Sequence, residues 1–166
     1  MMLRRMLRGG AVAGAIVALA VSVPGCASAQ PPAFPDLGGL ADVTSGHVLN
    51  NPRGQVGFIF STADGFGCSG GANSVSCNGT MPGMDGIAKV SGTGPCDIGV
   101  ARADSTFVRL QHYMAACPAP ANGNILNPGE KVSQGSTTCG VLPGGVTACT
   151  VGPHGFVLQP SGSSSF

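Results

Sequence analysis

Ser69, three histidines and a set of cysteines are the residues of this chain that invite a chemical reading. Gly67-Cys68-Ser69-Gly70-Gly71 matches the Gly-x-Ser-x-Gly pattern of a nucleophile elbow. An elbow works because a strand feeds a tight turn that opens a helix, leaving the serine hydroxyl exposed at the bend. Gly70 and Gly71 are poor helix starters, so the match reads as a coincidence of a glycine-rich segment. The overlapping Gly65-x-Gly67-x-x-Gly70 imitates a dinucleotide-binding loop, but neither a helix nor a βαβ pattern surrounds it. His47, His112 and His154 lie far apart without metal-ligand spacing and read as a loop entry, a strand position and a turn. A folded site gathering one of them with Asp64, Asp85 or Asp97 is the chemical alternative. Met81-Pro82-Gly83-Met84 reads as a turn with packing methionines, and Asn78-Gly79-Thr80 is a glycosylation sequon relevant only to a eukaryotic secretory route. No catalytic, cofactor-binding or metal-ligating set is expected.

The cysteines carry more. Of seven, Cys26 lies near the N-terminus and six follow in a weakly charged, loop-rich body. An even set in a small chain points to disulfides and an oxidising compartment. Six cysteines allow fifteen connectivities. Hairpin symmetry narrows them. With Pro143-Gly144-Gly145 as a three-residue loop, Leu142 faces Val146 and Cys139 falls opposite Cys149. The same construction about Ala72 and Asn73 sets Cys68 opposite Cys77, and Cys96 and Cys117 remain to pair with each other. Each bridge is expected to add about 2.5–3.5 kcal/mol, a structural role. No Cys-x-x-Cys spacing suggests a redox pair.

The elements that must position these residues begin with an export signal over residues 1–29. Arg4, Arg5 and Arg8 form a basic region, residues 11–23 are apolar, and Ala27-Ser28-Ala29 supplies small residues at a cleavage site between Ala29 and Gln30. Val23-Pro24-Gly25-Cys26 offers the alternative of a lipobox, with Cys26 acylated as the first mature residue. Residues 30–50 read as a flexible leader, 51–160 as a single β-rich domain and 161–166 as a frayed tail.

After position 29, five basic residues stand against seven acidic ones, a net charge of −2 with no basic run, so nucleic acid is an unexpected partner. No second apolar stretch suits a membrane span. Glycine and proline interrupt the chain too often for long helices. The apolar segments between them predict strands at 55–61, around Cys68, at 74–77, 107–113, 137–142, 146–151 and 155–159, with a short helix to residue 116 as an alternative end for the fourth. The expected fold is mainly β: a small disulfide-braced antiparallel sheet domain, sandwich or partly open barrel, with long loops.

The order of Phe58-Ile59-Phe60-Ser61-Thr62-Ala63-Asp64-Gly65, Cys77-Asn78-Gly79-Thr80-Met81-Pro82-Gly83, Leu126-Asn127-Pro128-Gly129, Cys139-Gly140-Val141, Val146-Thr147-Ala148-Cys149 and Gly155-Phe156-Val157-Leu158 resembles a group of small exported proteins of mycobacteria and related actinobacteria, of uncharacterised function. Ala63 replaces the proline expected of that group, and Cys96 and Cys117 add to its four-cysteine core. The resemblance implies an envelope or culture-fluid protein and brings no catalytic residue. The function expected is that of a non-enzymatic, exported binding or structural module of the cell envelope or extracellular space. Its partner would be a protein, glycan or lipid met on the loops 79–94 and 119–129. The alternatives are an inhibitor of an extracellular peptidase presenting Cys117-Pro118-Ala119-Pro120, and a small serine hydrolase built on Ser69.

Overall fold

The structure is a computed structural model that describes residues 33–50, 54 and 56–166. The expected signal, its cleavage site Ala29/Gln30, the alternative lipidation residue Cys26 and the start of the leader lie outside these residues. The rest, residues 33–166, is one compact β unit of two six-stranded sheets.

One sheet is built of strands consecutive along the chain. It runs through β2 (Val48–Asn50), β3 (Val56–Ser61), β4 (Gly67–Gly71), β5 (Ser74–Gly79), β6 (Cys96–Asp104) and β7 (Val108–Ala115), each antiparallel to the next. The other sheet joins β1 (Ala41–Asp42), β8 (Glu130–Gln134), β9 (Thr137–Leu142), β10 (Val146–Val151), β11 (His154–Leu158) and β12 (Ser164–Ser165), with only the β1–β8 pair parallel. The sheets face each other without closing into a barrel, within the mainly β, antiparallel class expected.

Strand alternation explains the shared core. Phe58 and Phe60, Cys68, Val75 and Cys77, and Ala101 and Ala103 point inward from one sheet. Val132, Cys139 and Val141, Cys149 and Val151, and Phe156 and Leu158 point inward from the other. Phe58, Phe60, Phe66 and Phe156 are fully buried. Small residues make room for them: a Cβ on Gly70 would meet the Phe58 ring at 2.4 Å, and one on Gly99 would meet Met81 at 3.0 Å.

The bridges are Cys68–Cys77, Cys96–Cys117 and Cys139–Cys149. The first and third join residues directly opposed in the β4–β5 and β9–β10 hairpins, with Cα atoms 4.0 and 4.1 Å apart. The β9–β10 loop is Pro143-Gly144-Gly145, both glycines with positive φ (82° and 75°), a backbone that other residues adopt only with strain. β7 continues as strand to Ala115, so the short helical alternative is not taken. Six disulfide-bonded cysteines indicate an oxidising environment. Among the described residues no helix is long and apolar enough to cross a membrane.

Two segments differ from expectation. In its described part the leader 30–50 is structured: β1 pairs with β8, a 3-10 turn covers Thr44–His47, and β2 forms one edge of its sheet. Phe34, Leu37 and Leu40 lie on the outer face of β9, β10 and β11, packed with Ala148 and Val157. A Cβ on Gly140 would strike Leu40 at 2.4 Å, and one on Gly155 would meet Phe34 at 3.1 Å. These side chains occupy a trough that the missing side chains of the sheet leave open. The tail 161–166 is likewise held. β12 pairs with β11, the Ser163 amide donates to Gly83 O at 2.7 Å, and the Phe166 ring meets Phe34 edge-on at 5.5 Å.

Candidate functional site

One sheet therefore has much of its outer face covered by residues 33–40. The outer face of β2–β7 carries small polar side chains on β4 and β5, flanked by Ile59 of β3 and by Val100, Arg102 and Arg109 of β6 and β7. The registers Ile59↔Ser69, Ser69↔Ser76, Ser76↔Arg102 and Arg102↔Arg109 place these residues in one row across β3 to β7. Beside them Gly71 opposes Ser74, and Ser74 opposes Asp104. Ser69, Ser74, Arg102 and Arg109 are exposed.

Two shallow grooves of about 360 Å³ each meet along this row, and Ser69 and Ser76 line both. The first continues to Arg102, Asp104, Phe107 and Leu49. The second runs under residues 118–122, with Asn78 in its wall. That loop is tied to β6 by Cys96–Cys117, and Ala121 sits over Gly67, where a Cβ would come within 2.9 Å of it. Beyond it the chain returns to the end of β3 that β2 leaves unpaired. There the Ser61 amide donates to Asn124 O, and the Ser61 hydroxyl donates to Gly123 O.

Asp104 closes the β6–β7 turn. Its Oδ1 accepts from the Thr106 hydroxyl and amide at 2.7 Å each and from the Phe107 amide at 3.1 Å. The Thr106 hydroxyl, followed by its amide, holds this carboxyl below its usual range. The arginines have no such partners. All seven acidic side chains are among the described residues, yet neither guanidinium forms a salt bridge or hydrogen bond to a described residue. Arg109 instead lies 6.0 Å over the Phe107 ring.

The residues singled out in the sequence are distributed differently. Ser69 lies in the middle of a straight strand, with no turn-to-helix bend, and among the described residues no histidine or carboxylate hydrogen-bonds to it. The Gly65-x-Gly67-x-x-Gly70 run enters the same strand. His47 is buried beside β3, its Nδ1 donating to Ile59 O at 3.3 Å, and His154 begins β11. Cys117, Pro118, Ala119 and Pro120 are exposed on the loop that roofs the second groove. Of the two long loops expected to meet a partner, 79–94 buries Met81 and Met84 in the core, and 119–129 buries Leu126. Of these loops the stretch 119–122 borders the face.

His112 and Asp97 do meet, as the sequence alternative allows, but as an anchor for the 81–95 loop. The ring is buried, with Nδ1 2.9 Å from Asp97 Oδ1 and Nε2 3.0 Å from Ile87 O. Both partners are oxygen acceptors, to which a ring nitrogen donates when it carries the proton. Lys89 Nζ donates to the other Asp97 oxygen at 3.2 Å. Among the described residues no group of three histidine, cysteine or acidic residues forms a metal site.

Partial desolvation works to raise the Asp97 pKa, but the hydrogen bonds from His112 and Lys89 outweigh it and hold it below 3.8. A depressed carboxylate contributes its stability above the unfolded value and loses it as pH falls through the folded one. Exchange protection of the amides in residues 87–90, relative to their intrinsic rates, is therefore expected to hold at about pH 5 and to be lost as the pH falls well below 3.8, while β9 and β10 remain protected. In Asp97→Asn the pH step should vanish, as residue-resolved exchange would show.

Comparison of the chain with known protein families, with curated proteins and with solved structures finds no match.

Proposed function

We propose that the chain is an exported, non-enzymatic binding module of the cell envelope or extracellular space, working through the outer face of β2–β7. The observation that carries this reading is the asymmetry of the two outer faces. One is largely covered by Phe34, Leu37 and Leu40, which leave a groove of about 290 Å³ at Lys131, Thr138 and Thr150, whereas the other keeps two grooves of about 360 Å³ each along Ser69 and Ser76. Supporting export are the basic and apolar segments before Ala27-Ser28-Ala29 and the three bridges. Release after Ala29 and retention through acylated Cys26 both leave this face available. In this reading Ser69 is a hydroxyl of the groove floor.

Ser69→Tyr fills the junction of the two grooves with a side chain that strands accept well. The labelled exported chain should bind the envelope of the producing cells. Ser69→Tyr should keep its melting temperature and lose about tenfold in affinity, equivalent to 1.4 kcal/mol. Unchanged envelope binding by a folded Ser69→Tyr protein would overturn the assignment of this face.

A further inference from the structure

Arg102 and Arg109 are directly opposed on adjacent antiparallel strands, on the same exposed face. Like charges so placed repel, since opposed Cβ atoms are about 5 Å apart. Neither arginine has a carboxylate partner, although seven acidic residues are available in the chain. A chain with more acidic than basic residues after position 29 has nonetheless set two guanidinium groups without a carboxylate partner side by side, with Arg102 lining the end of a groove. Such a pair calls for an anion from outside.

We infer that the outer face of β2–β7 binds an acidic polysaccharide, with Arg102 and Arg109 pairing its carboxylates and the Ser69–Ser76 floor meeting its hydroxyl groups. This rests on the reading of that face as the binding face, and it names the ligand. Guanidinium groups bind carboxylates through two parallel hydrogen bonds, and Arg109 is steadied for this by lying over Phe107. The floor is flat because Gly67, Gly71, Ser69, Ser74 and Ser76 carry almost no side chain, which suits an extended chain of sugar rings. Its hydroxyls both donate and accept, as a polyhydroxylated ligand requires.

Asp104 lies in the groove that Arg102 lines, so among the described residues the face holds two cations and one anion. That carboxylate turns the ligand's charge away from the β6–β7 turn and towards the arginine pair. Among the described residues two cations are also fewer than the clusters of four or more that hold a lipid surface, which favours a polysaccharide.

The test measures binding of the exported chain to polygalacturonate, to neutral dextran and to vesicles containing anionic lipid, at low and at physiological salt. Polygalacturonate should bind, dextran should not, and affinity should fall as salt rises. Arg102→Gln with Arg109→Gln should reduce the affinity at least about tenfold, while Lys89→Gln, an equal loss of charge per site on the 81–95 loop, should leave it within about twofold. Binding that survives the double substitution would overturn the assigned residues. Absence of polygalacturonate binding, or an arginine-dependent preference for anionic vesicles, would overturn the ligand class. In either case envelope binding that Ser69→Tyr abolishes would leave the binding face standing, whereas envelope binding indifferent to Ser69→Tyr would remove the face as well.

Discussion

Replacing Cys68 and Cys77 together with alanine is expected to lower the free energy of unfolding by about 4–5 kcal/mol, and replacing Cys96 and Cys117 by only about 3 kcal/mol. Loop closure alone predicts the reverse order. The Cys68–Cys77 bridge spans 9 residues and Cys96–Cys117 spans 21. Constraining the unfolded chain is worth about 2.6 kcal/mol for the shorter loop and about 3.3 for the longer. Packing decides the difference. Cys68 and Cys77 are almost completely buried between the sheets, so removing their sulfur atoms leaves a void beside Phe60 and its neighbours. Two buried atoms of that size, each about 1 kcal/mol, are enough to invert the order. Cys117 is exposed, and its removal leaves no comparable void. Urea unfolding of both double variants, with equal m-values, would measure the two costs. A larger loss for the Cys96–Cys117 variant would mean that chain entropy, and not the core, governs these bridges.

How much of this architecture was legible depends on whether a strand carries its own signal. The β9–β10 hairpin is readable because Pro143-Gly144-Gly145 separates two runs rich in β-branched residues, and the register of Cys139 and Cys149 follows from it. β6 is not readable in the same way. Its inward residues are Gly99, Ala101 and Ala103, small because Met81 and the aromatic core lie over them, so alternation is faint although the strand is nine residues long. Without β6 its register with β7 is invisible, and with it the meeting of Arg102 and Arg109. Ser69 stands out in the sequence through a motif, whereas its place in the fold is decided by β3 and β5 on either side. The N-terminal cover is a third kind of case. Phe34, Leu37 and Leu40 recur every third residue, but the trough that receives them is made by Gly140, Ala148 and Gly155, more than a hundred residues later. Only the tertiary partner turns that spacing into structure.

Two phenylalanines should respond to truncation in opposite ways. Phe156→Ala is expected to cost about 3–5 kcal/mol, the range for a fully enclosed aromatic ring. Phe156 has no exposed surface, sits opposite Cys149 in β11, and packs into the single cluster shared by both sheets. A loss of that size is a large part of the stability of a domain this small, so the bridges would be left as its main restraint. Because the cluster spans both sheets, exchange protection should fall in β3 and β5 as well as in β10 and β11; loss confined to β10–β12 would show that the sheets fold independently. Phe107→Ala, at a residue 45% exposed, should change stability by less than about 0.5 kcal/mol. It removes the ring beneath Arg109, an exposed cation–π contact worth about 0.5–1 kcal/mol, so binding of an acidic polysaccharide should weaken about two- to fivefold. Thermal unfolding and polygalacturonate titration of the same two proteins measure both quantities. If Phe107→Ala bound as tightly as the unaltered chain, Arg109 would not depend on that ring for its position, and the pairing with Arg102 would have to be set by the strand register alone.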